Sequence, residues 1–201
     1  MLREIEPSIF VPNIQDFIFE RDDVIPDHFC DYLISKFEND TEGQVKGAMG
    51  DGSFIDDGYK STTDIELHPN KKWYDDTNVF LKKYIEPTFL EYYNTLGSIR
   101  PHLLSCKVDY DSIIFARYDI GGQFDWHFDQ GSNAIGRVFQ IIAYLNDTEL
   151  GGETFYGVLD RKIKPKKGKV IIAPSSYPFF HKSCPVERGK KYNIIMQLSY
   201  Y

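Results

Sequence analysis

Residues 137–146, RVFQIIAYLN, constrain the fold more than any other stretch of this 201-residue chain. Side chains alternate across an extended strand, so Gln140, Ile142 and Tyr144 share one face while Phe139, Ile141, Ala143 and Leu145 share the other. Both faces are apolar. Such a strand belongs inside a layered or closed sheet, where Tyr144 needs a hydrogen-bond partner for its hydroxyl. The final strand, 191–198, divides differently. Tyr192, Ile194, Met196 and Leu198 form a uniformly apolar face, and Lys191, Asn193, Ile195 and Gln197 a mixed one. The apolar face is expected to pack under helices and the mixed face to line the mouth of a barrel.

Turn signals punctuate the second half of the chain. GGET at 151–154 and PKKG at 165–168 place glycines where the backbone must reverse with positive φ. A run of short strands separated by such turns, after about residue 100, predicts a mainly β fold with flanking helices. Its expected form is a double-stranded β-helix, or jelly roll, of antiparallel strands. The first hundred residues read as helical support. Phe29, Leu33 and Phe37 recur every four residues after Pro26 and Asp27, and Trp73, Phe80 and Tyr84 mark a second helix, which Pro87 either kinks or follows with the start of a new one. Residues 39–70, rich in glycine and aspartate, read as irregular and flexible. With 42% hydrophobic residues and no internal repeat or long linker, one domain is expected over 1–201. Its helical support runs to about residue 100 and its jelly-roll core over about 101–201.

The chemistry concentrates between Tyr118 and Asp129. His127 and Asp129 alternate on one strand, so both project to the same side while Phe128 points away. His181 can complete the set. Two imidazoles and one carboxylate are the ligands of mononuclear ferrous iron, and three protein ligands leave positions open for a co-substrate and dioxygen. The other histidines read as bland: His28 sits at a helix start, and His68 and His102 adjoin Pro69 and Pro101. Lys191 follows His181 at a distance that lets it reach the same cavity and hold the far carboxylate of a diacid. Tyr144 and Tyr118, the last residue of a strand over 112–118, offer hydroxyls.

From about residue 113 to 201 the chain resembles the catalytic core of the prolyl 4-hydroxylase branch of the 2-oxoglutarate and Fe(II) dependent dioxygenases. The matching pieces come in the family's order: RY with GGQFDWHFD, YLND with GGETFY, PKKGKVIIAP, and HKSCPVERGKKY. The resemblance implies that His127, Asp129 and His181 bind iron, and that Lys191 holds the distal carboxylate of 2-oxoglutarate, where some members use arginine. It further implies that Tyr144 and Tyr118 contact the cosubstrate and that Arg137 faces the entrance as a substrate contact. Ser183 stands where many members have glycine. Segments such as 39–70 often fold over the active site in this superfamily. The implied activity is hydroxylation of a C–H bond with conversion of 2-oxoglutarate to succinate and carbon dioxide, with ascorbate as reductant. Asp129 keeps the carboxylate that related halogenases lack. A peptidyl proline is the favoured substrate. The alternatives are a free amino acid or other small molecule, or a cupin-like metal protein that does not use 2-oxoglutarate.

Composition narrows the partners. Arg161, Lys162, Lys164, Lys166, Lys167 and Lys169 form a basic cluster that reads as a solvated turn, and the formal net charge of the chain is −7. Arg188 alone follows the distal histidine, where nucleic-acid dealkylases of the superfamily carry an arginine pattern, so no nucleic-acid partner is expected. No apolar run approaches a membrane span. Cys30, Cys106 and Cys184 are too few and scattered for a disulfide framework, and a reducing, cytoplasmic setting is the expectation.

Overall fold

The computed structural model describes residues 13–50, 52–67, 71–99, 107–131 and 134–201, so the expectations for His68, His102 and Cys106 fall outside the described residues. Two helical segments precede the main strands: α1 (Asp27–Asn39), then α2 (Tyr74–Phe80) joined by a π turn at Leu81–Ile85 to α3 (Glu86–Ile99). The strands are β1 (Phe19–Arg21), β2 (Val45–Lys46), β3 (Thr63–Glu66), β4 (Val108–Tyr118), β5 (Phe124–His127), β6 (Arg137–Tyr144), β7 (Leu150–Gly151), β8 (Thr154–Tyr156), β9 (Arg161–Ile163), β10 (Val170–Pro174), β11 (His181–Ser183), β12 (Val186–Arg188) and β13 (Lys191–Tyr200). Among the described residues the major sheet runs β1-β10-β6-β13-β4-β3-β2 and the minor sheet β5-β11-β8-β9, with β12 and β7 paired at the side. The pairings are antiparallel, as a double-stranded β-helix requires.

Residue parity decides the layering. Ile194, Met196 and Leu198 of β13, Ile113 and Phe115 of β4, and Ile141 and Ala143 of β6 lie on one face of the major sheet, in one apolar cluster with the helices. That cluster includes Leu33 and Phe37 of α1 and Trp73, Phe80, Tyr84 and Tyr92 from the second helical segment. The rings of Phe37 and Phe115 lie 4.5 Å apart. The opposite face of the same strands points into the barrel, where Ile142, Tyr144 and Ile171 meet Tyr156 and Phe179 from the minor-sheet side. Buried area of this kind, at roughly 25 cal/mol per Å², is what holds the helices on the sheet.

Local details refine the sequence reading. The buried stripe of α1 is Cys30, Leu33 and Phe37, while Phe29 is half-buried against Tyr84 at 5.4 Å. Pro87 is the second residue of α3, and the π turn before it, closed by the Glu86 amide on the Leu81 carbonyl, absorbs the change of phase. The first hundred residues are not helical support alone. β1, β2 and β3 add strands at both edges of the major sheet, and β3 falls inside the stretch read as irregular. Ile65 of β3 supplies an apolar anchor, 1% exposed, that pattern counting over a glycine-rich stretch does not weigh.

The basic turn is also more than solvated. Lys166 pairs with Asp22, Lys167 with Asp31, and Lys169 and Arg161 with Glu20, so the acidic residues around β1 neutralise it. At the apex, Gly168 takes φ +77° and its carbonyl accepts from the amides of Val24 and Ile25. Among the described residues no helix is long and apolar enough to cross a membrane.

Candidate active site

The minor sheet sets the first part of the site. β11 lies between β5 and β8, and His181 is directly opposite His127 on one side and Tyr156 on the other. Asp129 follows β5, and the three side chains converge. The ligand-capable atoms of His127, Asp129 and His181 lie within 4.8 Å of one another. Each imidazole Nε2 is 4.0 Å from a different oxygen of the Asp129 carboxylate.

The remaining ring nitrogens are engaged. Nδ1 of His127 is 2.6 Å from the Asp125 carbonyl, and Nδ1 of His181 is 3.2 Å from the Phe179 carbonyl. A carbonyl only accepts, so both Nδ1 atoms carry the proton and both Nε2 lone pairs face the gap between the three residues. Gln140 reaches Nδ1 of His181 at 3.3 Å; with that nitrogen protonated, the amide is turned so that its otherwise unpartnered Oε1 meets the N–H. Phe124 stacks on the His127 ring at 3.6 Å and fixes its plane.

Electrostatics show what the cluster lacks. Burial holds both histidines below their ordinary range, His127 well below because the neighbouring His181 adds to the effect. Burial also pushes the Asp129 carboxyl up, against the pull of His181 and Arg137, and its Oδ2 has no hydrogen-bond partner. Two neutral imidazoles with free lone pairs and an underserved carboxylate make a donor set that fits one divalent cation.

Deeper in the barrel lies the second part. Lys191 is fully buried, with Nζ donating to the Gly152 carbonyl at 3.1 Å and to Ser183 Oγ, and resting 3.8 Å over the Tyr118 ring. Burial brings its ammonium down to about 7. A buried cation whose hydrogen-bond partners are neutral fits a carboxylate guest. Lys191 therefore lies inside the barrel, whereas the sequence reading set its whole face at the mouth. Of that face only Ile195 and Gln197 line the outer cleft. The Tyr144 hydroxyl, for which a cosubstrate partner was expected, already meets Thr154 Oγ1 at 2.5 Å.

The cleft outside the cluster of His127, Asp129 and His181 has a volume of about 670 Å³ and reaches His127 and Asp129 at its base. Arg137 lines it, held by Asp111 through Nε at 2.6 Å, with Nη1 3.5 Å from the Asp129 carbonyl. It braces the aspartate backbone as well as facing the entrance. The segment after β2 supplies one wall through Ala48, Met49 and Gly50, so part of the 39–70 stretch does border the site. Lys60 and Asp64 form a buried ion pair at 2.7 Å in that wall. Sequence reasoning gave no role to Thr154, Gln140, Lys60 or Asp64, and marked Ser183 only as a departure from the family's pattern. Parity alone could have flagged Gln140, a polar residue on the inward face of a doubly buried strand.

Residues 113–198 match the family described as the 2OG-Fe(II) oxygenase superfamily. A probable prolyl 4-hydroxylase 9 of Arabidopsis thaliana is 29% identical over 110 residues, covering 41% of this chain and 38% of that protein. Prolyl 4-hydroxylase subunit alpha-1 of Gallus gallus is 31% identical over 94 residues, 38% of this chain and 18% of its own length. The chain thus spans well under half of these curated relatives. Among solved structures, the viral collagen prolyl hydroxylase of Paramecium Bursaria Chlorella virus-1, in its 2OG complex, superposes with TM-score 0.63 at 21% identity over 90% of this chain and 95% of that one. A Pseudomonas putida prolyl-4-hydroxylase gives TM-score 0.67 at 15% identity over 91% and 92%. The solved structures establish the shared fold, and over residues 113–198 the chain is similar to the 2OG-Fe(II) oxygenase superfamily and, within it, to prolyl 4-hydroxylases.

Proposed function

We propose that the protein is an Fe(II) and 2-oxoglutarate dependent hydroxylase acting on a proline in a peptide. The observation that carries this reading is the convergence of His127, Asp129 and His181 at one point, with Lys191 buried beyond them. In the proposal these three side chains hold Fe(II), and Lys191 holds the distal carboxylate of 2-oxoglutarate with Tyr118 and Tyr144 shaping the pocket. Bound Fe(II) and 2-oxoglutarate supply the oxidising chemistry, which consumes dioxygen, yields succinate and carbon dioxide, and places one oxygen atom in a C–H bond.

The chain's own residues do the rest. The Asp125 and Phe179 carbonyls orient the imidazoles, Gln140 secures His181, and Arg137 steadies Asp129 from the cleft side. The apolar cluster around Ile142, Tyr156 and Phe179 keeps water from the inner pocket. The open cleft, in the size range of ligand sites, supports a peptide that enters from outside and presents one residue at its base. The names of the relatives favour proline over a free amino acid or other small molecule. Ascorbate as reductant and a reducing, cytoplasmic setting complete the proposal.

The test is succinate formation from 2-oxoglutarate with Fe(II) and ascorbate, run on the parent, His127→Ala and Lys191→Ala. Both substitutions are expected to abolish turnover, and a proline-containing peptide should gain the mass of one oxygen atom only with every component present. Turnover or 2-oxoglutarate binding unaltered by either substitution would overturn the reading. A cupin-like protein would bind metal yet show no dependence on 2-oxoglutarate.

A further inference from the structure

Tyr156 ends β8 with a hydroxyl that is buried and has no hydrogen-bond partner. Other buried tyrosines are served: Tyr144 by Thr154, Tyr92 by the Phe17 carbonyl, Tyr192 by Glu38. The surroundings of Tyr156 are aliphatic and aromatic, with Ile142, Leu159, Ile163 and Phe179 in the same cluster, so packing needs its ring and nothing in the fold uses its oxygen. A buried hydroxyl left without a partner is a cost that a phenyl ring would avoid.

Strand register locates this side chain. His181 sits opposite both His127 and Tyr156, so the three occupy one row across the minor sheet, and the Tyr156 ring lies 5.3 Å from that of His181. Two residues earlier on the same face, Thr154 is opposite Ser183. Thr154 meets Tyr144 and Ser183 accepts from Lys191. The inner face of β8 and β11 therefore has two levels: one at the buried lysine and one at the metal-ligand cluster. A diacid with its far carboxylate on Lys191 and its 2-oxo acid end on the cation spans both. It offers many acceptors and no donor at those ends.

We propose that Tyr156 is a cosubstrate-binding residue whose hydroxyl donates a hydrogen bond to the 2-oxo oxygen of 2-oxoglutarate. This rests on the reading of the site as a 2-oxoglutarate site. A phenol hydroxyl can donate, and an oxygen of the 2-oxo acid end can only accept.

Tyr156→Phe removes only the hydroxyl. Calorimetry on Mn(II)-loaded protein, parent and variant, with 2-oxoglutarate, oxalate and glutarate as probes separates the ends of the pocket. Affinity for 2-oxoglutarate and for oxalate, which mimics the chelating end, should fall about tenfold, while glutarate, which lacks the 2-oxo group, is unaffected. The melting temperature of the ligand-free variant should equal or exceed that of the parent, because an unpartnered hydroxyl has gone. Equal affinity of parent and variant for 2-oxoglutarate overturns the proposal, as does an equal loss for glutarate or a lowered ligand-free melting temperature, which would mark a structural role. A parent that binds no 2-oxoglutarate defeats the functional reading itself; a parent that binds it as well as Tyr156→Phe does defeats only this inference.

Discussion

Binding of 2-oxoglutarate should bring a proton into the protein. Lys191 is pushed from the ordinary lysine value of 10.5 to about 7 by burial, with Cys184 and Glu153 pulling weakly the other way. Its folded-state value is below its unfolded one, so between about 7 and 10.5 the folded state binds fewer protons. Stability from this group alone therefore rises with pH through that window, and the full cost of the buried charge is present below it. A depression of this size corresponds to about 5 kcal/mol, an upper bound on what a carboxylate partner can recover.

A carboxylate seated on Nζ restores the charged form. At pH 8 the empty pocket holds mostly neutral amine, and the occupied one holds ammonium, so uptake should approach one proton per diacid bound. Between about 7 and the restored value the dissociation constant should rise close to tenfold per pH unit. Calorimetric titration of Mn(II)-loaded protein in two buffers of different ionisation enthalpy at pH 8 measures the uptake directly. Lys191→Met should bind the diacid more weakly and take up no proton. Intact binding with no uptake by the parent, or the same uptake in Lys191→Met, would refute the assignment of Lys191 as the carboxylate partner.

Three further outcomes are expected. Gln140→Leu, which leaves the His181 N–H with only the Phe179 carbonyl, should weaken Mn(II) or Co(II) binding by about 10- to 100-fold in equilibrium dialysis with little change in far-UV circular dichroism. Both histidines titrate below their ordinary 6.5 in the fold, so the stability they contribute is complete above that value and is lost as pH falls through the lowered ones. Asp129, raised by burial from 3.8, acts in the opposite direction at more acid pH. The rise in melting temperature on adding Mn(II) should accordingly persist as pH falls through the ordinary imidazole value of 6.5 and shrink only at more acid pH; a loss centred on 6.5 would contradict buried, neutral ligands. Gly168→Ala puts a Cβ 2.5 Å from the Ile25 carbonyl at φ +77°, and should cost about 2–3 kcal/mol, seen as a shift in denaturant midpoint at unchanged slope.

What was legible in the sequence followed parity. The spacing of His127 and Asp129 puts them on one face, and the helix-facing set of β13 and the burial of β6 on both sides follow from alternation because a strand has only two faces. Depth along the barrel was not legible, since parity says which side a residue takes and nothing about its level. Lys191 and Gln197 share a face of β13. One is opposite Tyr118 at the buried end, the other opposite Ser112 at the cleft, and only the pairing of β13 with β4 distinguishes them.

The same limit explains the missed partners. Thr154 and Ser183 are small polar residues in short strands, unremarkable until β8 and β11 are set side by side. The register of β11 against β5 slips by one residue between His181 and Ser183, which lets His181 face His127 while Ser183 faces Phe124. The extra residue lies in β5, where Asp125 and Trp126 stand against Lys182 alone, and nothing in FDWH marks it, so the sequence could identify the chemistry of the second strand but not its register against the first. Ser183, two residues from His181 on the same face of β11, accepts from Lys191 and so aims the amine before any diacid arrives.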